Sequence, residues 1–290
     1  MPLDIRSICP ACKQNKFKTL FSLPFNSKKM RDFLRGYYKN FSKLNELDGF
    51  DYNLLECKNC KFIFQEQIPD YNLSKELYEN IIDRNDSLTK KNNFEKKFYR
   101  KLSYEVNLIK GIFKKENHEI SILDFGAGWG FWLNFFKKKN FDVSGYELSE
   151  TRVNFMREKG IKTISDLDNV KDKFDLIYSE ETFEHIPNPR DTLIRLSSLL
   201  KKNGFILLRF PSNFLFKYKL NKNYIPKTDC AHPLEHINLL NKKSFKEMIK
   251  ETNLEIVDLK YKFNPSILNF LRDLKNIIYF DSILLKNKLF

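Results

Sequence analysis

Two rhythms of apolar and polar positions alternate through the second half of the chain. Ile120–Leu123 is a short, mostly apolar run, as expected of a buried strand, and after a glycine-rich stretch it gives way to the helical spacing of Phe131–Lys139. The exchange repeats: strand Phe141–Tyr146, strand Lys173–Tyr178, helix Thr192–Lys201, strand Phe205–Phe210. Strands alternating with helices predict βαβ units and a parallel sheet. Residues 211–241 show little periodicity, and a loop of that length predicts a lid or substrate loop. Beyond it the pattern predicts helix Lys242–Glu251, strand Leu254–Lys262, amphipathic helix Ser266–Ile278 and strand Ser282–Lys288. Near the N-terminus, Met30, Phe33, Leu34, Tyr37, Phe41 and Leu44 recur at helical spacing across Ser27–Leu47.

Composition bounds what these elements can build. At 290 residues, 42% hydrophobic and 15% aromatic, the chain can hold one sizeable α/β domain and a small accessory module. No apolar run approaches the about eighteen residues that suggest a membrane span. Met1–Arg6 carries no apolar core of a secretory signal, so a cytoplasmic location is expected. The net charge of +14 raises the question of nucleic acid. The lysines are dispersed, however, not gathered with arginines and aromatics into a stripe, and this pattern reads as a solvated surface.

The glycine stretch carries the chemistry. Asp124-Phe-Gly126-Ala127-Gly128-Trp-Gly130 joins a strand to a helix, and glycine there permits positive φ and close approach of a ligand. The spacing is G-x-G-x-G, not the dinucleotide G-x-G-x-x-G, and no Lys-Ser or Lys-Thr pair follows to make a P-loop. Glu147 ends the next strand about twenty residues on, where an acid can accept ribose hydroxyls. Strand Lys173–Tyr178 leads to Glu184-His185-Ile-Pro-Asn-Pro189, and Leu199-Leu-Lys-Lys-Asn-Gly204 precedes the following strand.

Taken in order with His236, these pieces resemble the class I S-adenosylmethionine-dependent methyltransferases over roughly Leu102–Lys260. They are similar in particular to ubiquinone-type O-methyltransferases and to methyltransferases of sugar and surface-polysaccharide pathways. The resemblance implies a Rossmann-like, doubly wound seven-stranded sheet of order 3-2-1-4-5-7-6. It further implies that the backbone of Gly126, Ala127, Gly128 and Gly130 receives the methionine and ribose of S-adenosylmethionine. Asp124 would hold the loop or meet the methionine amine, and Asp166 would meet the adenine amine. His185, and after it His236, are the candidate general bases, because imidazole titrates near neutrality. Glu181 and Glu184 with His185 are a weaker candidate for a divalent cation. After Tyr178 the chain reads Ser-Glu-Glu-Thr, without the Asn/Asp-Pro-Pro-aromatic set that the amino methyltransferases of bases use.

Cys9-Pro-Ala-Cys12 and Cys57-Lys-Asn-Cys60 form two C-x-x-C knuckles, the spacing of a closed tetrahedral Zn²⁺ site. Disulfides or a redox pair are the competing reading; a reducing compartment disfavours structural disulfides, and two matched knuckles favour metal over a single redox dithiol. Such a module resembles the N-terminal extension of sugar-pathway methyltransferases, and four thiolates would leave the metal a structural role. The expected organisation is a zinc module over 1–68, a helical connector covering the cofactor site over 69–117, and the methyltransferase domain over 118–290. The expected activity is methylation, first of all on oxygen, of a small molecule or carbohydrate in a surface-glycan pathway. An RNA or cofactor-precursor methyltransferase and a catalytically silent cofactor-binding scaffold are the alternatives. The amphipathic C-terminal stretch leaves peripheral membrane contact open.

Overall fold

The computed structural model describes residues 1–39, 41–81, 96–221, 223–257 and 280–288. In chain order the strands and α-helices that matter here are β1 (Leu3–Ile5), β2 (Phe17–Pro24), α1 (Lys28–Tyr37), β3 (Asp51–Cys57), β4 (Ile63–Gln65), β5 (Gln67–Pro69), α2 (Tyr71–Glu76), α3 (Lys96–Phe113) and β6 (Ser121–Phe125). They continue with α4 (Phe131–Lys137), β7 (Asp142–Tyr146), α5 (Glu150–Glu158), β8 (Lys162–Ile164), β9 (Phe174–Glu180), α6 (Pro189–Ser198) and β10 (Leu200–Pro211). The remainder are α7 (Phe216–Lys219), β11 (Asn238–Leu239), α8 (Lys242–Met248), β12 (Leu254–Val257) and β13 (Phe280–Asn287). Contacts divide the chain into two units, each assembled from separate stretches: Met1–Arg84 with Phe183–Thr192 and Phe210–Lys250, and Asn85–Thr182 with Leu193–Arg209 and Glu251–Phe290.

The second unit holds a seven-stranded sheet of order β12-β13-β10-β9-β6-β7-β8. The run β10-β9-β6-β7-β8 is parallel, and β12 pairs antiparallel with β13. Numbered along the sheet, this is the 3-2-1-4-5-7-6 arrangement that the resemblance implies. Strand β6 is buried at every position, as a central parallel strand covered on both faces must be. Its core contains Leu102, Ile122, Trp132, Leu133, Phe136, Tyr178 and Leu207. The strand expected over Leu254–Lys262 is described as Leu254–Val257, and the helix expected over Ser266–Ile278 lies outside the described residues.

The first unit is built on a four-stranded antiparallel sheet of order β11-β4-β3-β2. The helical spacing at Ser27–Leu47 resolves into α1 and a 3-10 turn at Leu44–Leu47. Ser27 caps α1 by accepting from the amide of Met30, which satisfies one of the helix's orphan donors. The stretch 211–241 is aperiodic in sequence yet largely packed. Phe216, Tyr224, Ala231 and Leu234 share one core with Phe25, Leu34, Tyr38 and Tyr52. Strand β11 completes the sheet by pairing Asn238 with Phe64 and Leu239 with Ile63.

Candidate functional site

Each unit presents its own chemistry. In the second, the glycine turn leaves β6 with Gly126, Gly128 and Gly130 at φ of 82°, 56° and 68°, a region that L side chains rarely adopt. Space is equally restrictive: a Cβ on Gly126 would lie 2.2 Å from Thr182 Oγ1. The amides of Gly126 and Ala127 both donate to the carbonyl of Tyr146, at 2.9 and 3.0 Å, and so tie the turn to the end of β7.

Glu147 follows that strand, and its carboxylate accepts from the amides of Gly128 (2.8 Å), Leu148 (2.9 Å) and Ser149 (3.0 Å). The acid expected to meet a ribose is thus also the clamp that shapes the glycine turn. A carboxylate offers about four acceptor positions, so capacity for a ribose hydroxyl remains. Accepting a second hydroxyl would require one of the three amides to give up its bond. Asp124 is buried beneath the turn. Asp166 is exposed, and its carboxylate accepts from Asp168 N and Asn169 Nδ2. The remaining acceptor position of Glu147, beside the glycine turn, suits a ligand hydroxyl.

Replacing Glu147 with alanine removes the ligand's charge-assisted hydrogen bond, roughly 1.5–3 kcal/mol, along with the three amide bonds that shape the turn. Affinity for S-adenosylhomocysteine is therefore expected to fall about ten- to a hundredfold in a calorimetric titration.

A buried ionic network in the same unit has no signature in the sequence. Trp132 Nε1 donates to Glu105 Oε2 at 2.7 Å, and Arg209 pairs with Glu105. Lys101 and the Tyr178 hydroxyl bind Glu180, at 2.8 and 2.7 Å. Burial works to raise the Glu180 pKa, but Arg209 and Lys101 outweigh it and hold it at about 2. Helix α3 is thereby fixed to α4, which begins at the glycine turn, and to the carboxyl ends of β9 and β10. Its long-range links, Lys101 to Glu180 and Glu105 to Arg209, follow from no spacing rule.

In the first unit, three of the chain's four histidines gather. The rings of His185 and His236 are centred 5.0 Å apart, and those of His232 and His236 5.6 Å apart. His185 Nδ1 lies 2.9 Å from the carbonyl of Glu235, and His236 Nδ1 lies 2.5 Å from that of Asp229. A carbonyl only accepts, so each Nδ1 carries the proton and each Nε2 keeps its lone pair. Burial and the neighbouring His236 lower His185 to about 3, and burial lowers His236 to about 4. Both rings are therefore neutral at physiological pH, and burial makes each a weaker base than the near-neutral imidazole expected from the sequence.

The Tyr38 hydroxyl donates to Glu235 Oε1 at 2.7 Å. Burial moves the Glu235 carboxyl up to about 7 against that bond. Sequence reasoning passed over Glu235 and the tyrosine, because Tyr38 stands almost two hundred residues away. Glu184, His185 and His236 also bring one ligand atom each to within 4.8 Å of one another, a donor set suited to a divalent cation.

These shifts make stability depend on pH. A histidine whose folded pKa lies below the ordinary 6.5 stabilises the fold fully above that value, and the contribution is lost as pH falls toward the folded pKa. Glu235 acts in the opposite sense, contributing below 4.5 and losing that contribution as pH rises through about 7. Three histidines outweigh one acid, so urea midpoints should fall as pH drops below about 6.5. A His232→Asn variant should show a shallower fall.

The four knuckle cysteines also meet in the first unit, with their sulfurs within 4.8 Å of one another. Cys9 Sγ lies 3.6 Å from Cys60 Sγ, and Cys12 Sγ lies 3.5 Å from Cys57 Sγ. None is in a disulfide. A tetrahedron with Zn–S of about 2.3 Å has edges of about 3.8 Å, close to these separations. Each knuckle closes on a residue of positive φ, Lys13 and Lys61, whose amides return to the carbonyls of Cys9 and Cys57. Among the described residues no helix is long and apolar enough to cross a membrane.

Comparison with known proteins gives these features a family. The profile described as "Methyltransferase domain" matches residues 94–259. The ubiquinone biosynthesis O-methyltransferase of Photobacterium profundum is 25% identical over 131 residues, which cover 40% of this chain and 54% of the relative. The chain thus spans about half the length of that curated relative. Two solved structures of the plantazolicin methyltransferase BpumL share the fold: one in complex with SAH, the other with SAH and a triazolic desmethylPZN analog. They are 20% and 19% identical, cover 74% and 75% of this chain and 93% and 95% of their own, and have TM-scores of 0.51 and 0.53. The profile takes in more than half of the residues, the glycine turn and most of the sheet among them, and the chain belongs to the methyltransferase-domain family in its class I, S-adenosylmethionine-dependent form.

Proposed function

We propose that this chain transfers the methyl group of S-adenosylmethionine to a hydroxyl of a small molecule or carbohydrate in a surface-glycan pathway. The observation that carries the reading is the glycine turn tied by Glu147 at the end of β7 in a seven-stranded sheet. Bound there, the cofactor supplies an electrophilic methyl on a good leaving group. What the protein must add is alignment, which can contribute as much as ~7–11 kcal/mol, and a group to take the acceptor's proton.

His185 is assigned that role, with His236 as its partner or substitute. Each holds a lone pair on Nε2, and the His185 side chain is 18% exposed. Cys9, Cys12, Cys57 and Cys60 are assigned to one structural Zn²⁺. The printed name of the Photobacterium relative supports oxygen as the acceptor atom. The knuckle module, similar to the extension found in sugar-pathway methyltransferases, supports the carbohydrate. Incubation with S-adenosylmethionine and a panel of hydroxylated acceptors, nucleotide sugars foremost, should release S-adenosylhomocysteine in step with methylated product. Cofactor binding without release across the panel would favour the silent-scaffold alternative, and release only with RNA would favour a nucleic-acid substrate.

A further inference from the structure

Gln65 is fully buried at the end of β4, and every polar atom of its side chain is spent on one distant turn. Its Nε2 donates to the carbonyls of His232 (2.8 Å) and His236 (3.0 Å), and its Oε1 accepts from the amide of Leu234 at 3.3 Å. Its own amide donates to the carbonyl of Ile237 at 3.0 Å. Leu234 sits at φ 69°, a conformation that a branched side chain resists and that these bonds hold in place.

Arg6 grips the other side. Its guanidinium donates to Ile237 O (3.1 Å) and Asn238 Oδ1 (3.0 Å), and also to Pro187 O (3.0 Å), two residues after His185. Asn238 Nδ2 in turn donates to the carbonyls of Phe183 and Ile186, on either side of His185.

We propose that Gln65 and Arg6, both from the knuckle-bearing N-terminal stretch, are positioning residues for His185 and His236. They fix the two histidine loops so that each imidazole keeps its Nδ1 proton on a main-chain carbonyl and its Nε2 lone pair available. The inference rests on the assignment of these histidines as proton acceptors. It gives the N-terminal stretch a part in the chemistry that a free-standing metal module would not have. The groups facing the two rings are Glu184, Glu235, His232 and Tyr78. Gln65 bonds to backbone and Arg6 to backbone and the Asn238 side chain, neither to these rings, so their effect is on placement.

The test uses the full chain labelled with ¹⁵N-histidine at neutral pH, its ring signals assigned through His185→Gln and His236→Gln. The wild-type protein should show both rings locked in the Nδ1–H tautomer. Gln65→Met keeps the length and loses all three side-chain bonds, and it should release His236 into a tautomer mixture. Arg6→Met should do the same to His185. S-adenosylhomocysteine affinity by calorimetry should be retained in both variants, since the glycine turn belongs to the other unit. Locked tautomers in both variants, with only the melting temperature lowered, would overturn the proposal and leave a structural role. If Gln65→Met does not fold, Arg6→Met decides alone, because its side chain is only partly buried. Turnover that survives both His→Gln changes while the tautomers shift as expected would defeat the proton-acceptor assignment and leave the positioning intact.

Discussion

His185→Gln is expected to lower kcat by about 10²–10⁴-fold, the usual contribution of a general base, with S-adenosylmethionine affinity nearly unchanged. Glutamine retains the side-chain polarity and roughly the reach, but it cannot take a proton. Steady-state turnover and calorimetry on the same preparation read the two effects separately. A loss of cofactor affinity and thermal stability in parallel with activity would mark His185 as structural. His236→Gln and the double variant extend the test. If none of the three slows turnover by tenfold, alignment alone carries the transfer.

The second large effect concerns the metal. One Zn²⁺ per chain is expected, with an apparent binding energy on the order of 10 kcal/mol released into folding of the N-terminal unit. The contact between the Cys9 and Cys60 thiols draws Cys9 down and pushes Cys60 up, whereas a metal would require both as thiolates. Cys9→Ser should therefore lose metal by elemental analysis and melt at a markedly lower temperature. Undiminished metal in that variant, or a fully folded unit after chelation, would rule the site out.

The local physics of the chain made much of this readable. A buried parallel strand is mostly apolar, and Ile120–Leu123 shows this with Ser121 as its one polar position; a strand-to-helix turn with three positive-φ residues favours glycine, and Gly126, Gly128 and Gly130 show that. Sheet order came through the resemblance to class I methyltransferases, since neighbouring strands such as β6 and β9 are fifty residues apart. The two knuckles were legible for a similar reason: a pair of ligands must lie close in sequence, even when the other pair does not.

What stayed hidden was long-range packing. Residues 211–241 read as a lid because they lack a period, yet Phe216, Tyr224 and Leu234 fill a core and β11 joins a sheet whose other strands lie before residue 66. A two-residue strand carries no period to detect. The partnerships of Tyr38 with Glu235, Gln65 with His232 and Glu105 with Arg209 are equally invisible, because each unites groups more than a hundred residues apart. The histidines themselves were candidates from motif order. Their shared tautomer and lowered pKa values follow from burial and from carbonyls that only the fold brings to them.

The proposed methyl transfer depends on the glycine turn and Glu147 forming an S-adenosylmethionine site. Isothermal titration of the full chain with S-adenosylmethionine and, separately, with NAD reads that site without any knowledge of the acceptor. Saturable, single-site binding of S-adenosylmethionine and none of NAD is expected. Binding of NAD without S-adenosylmethionine would contradict the assignment.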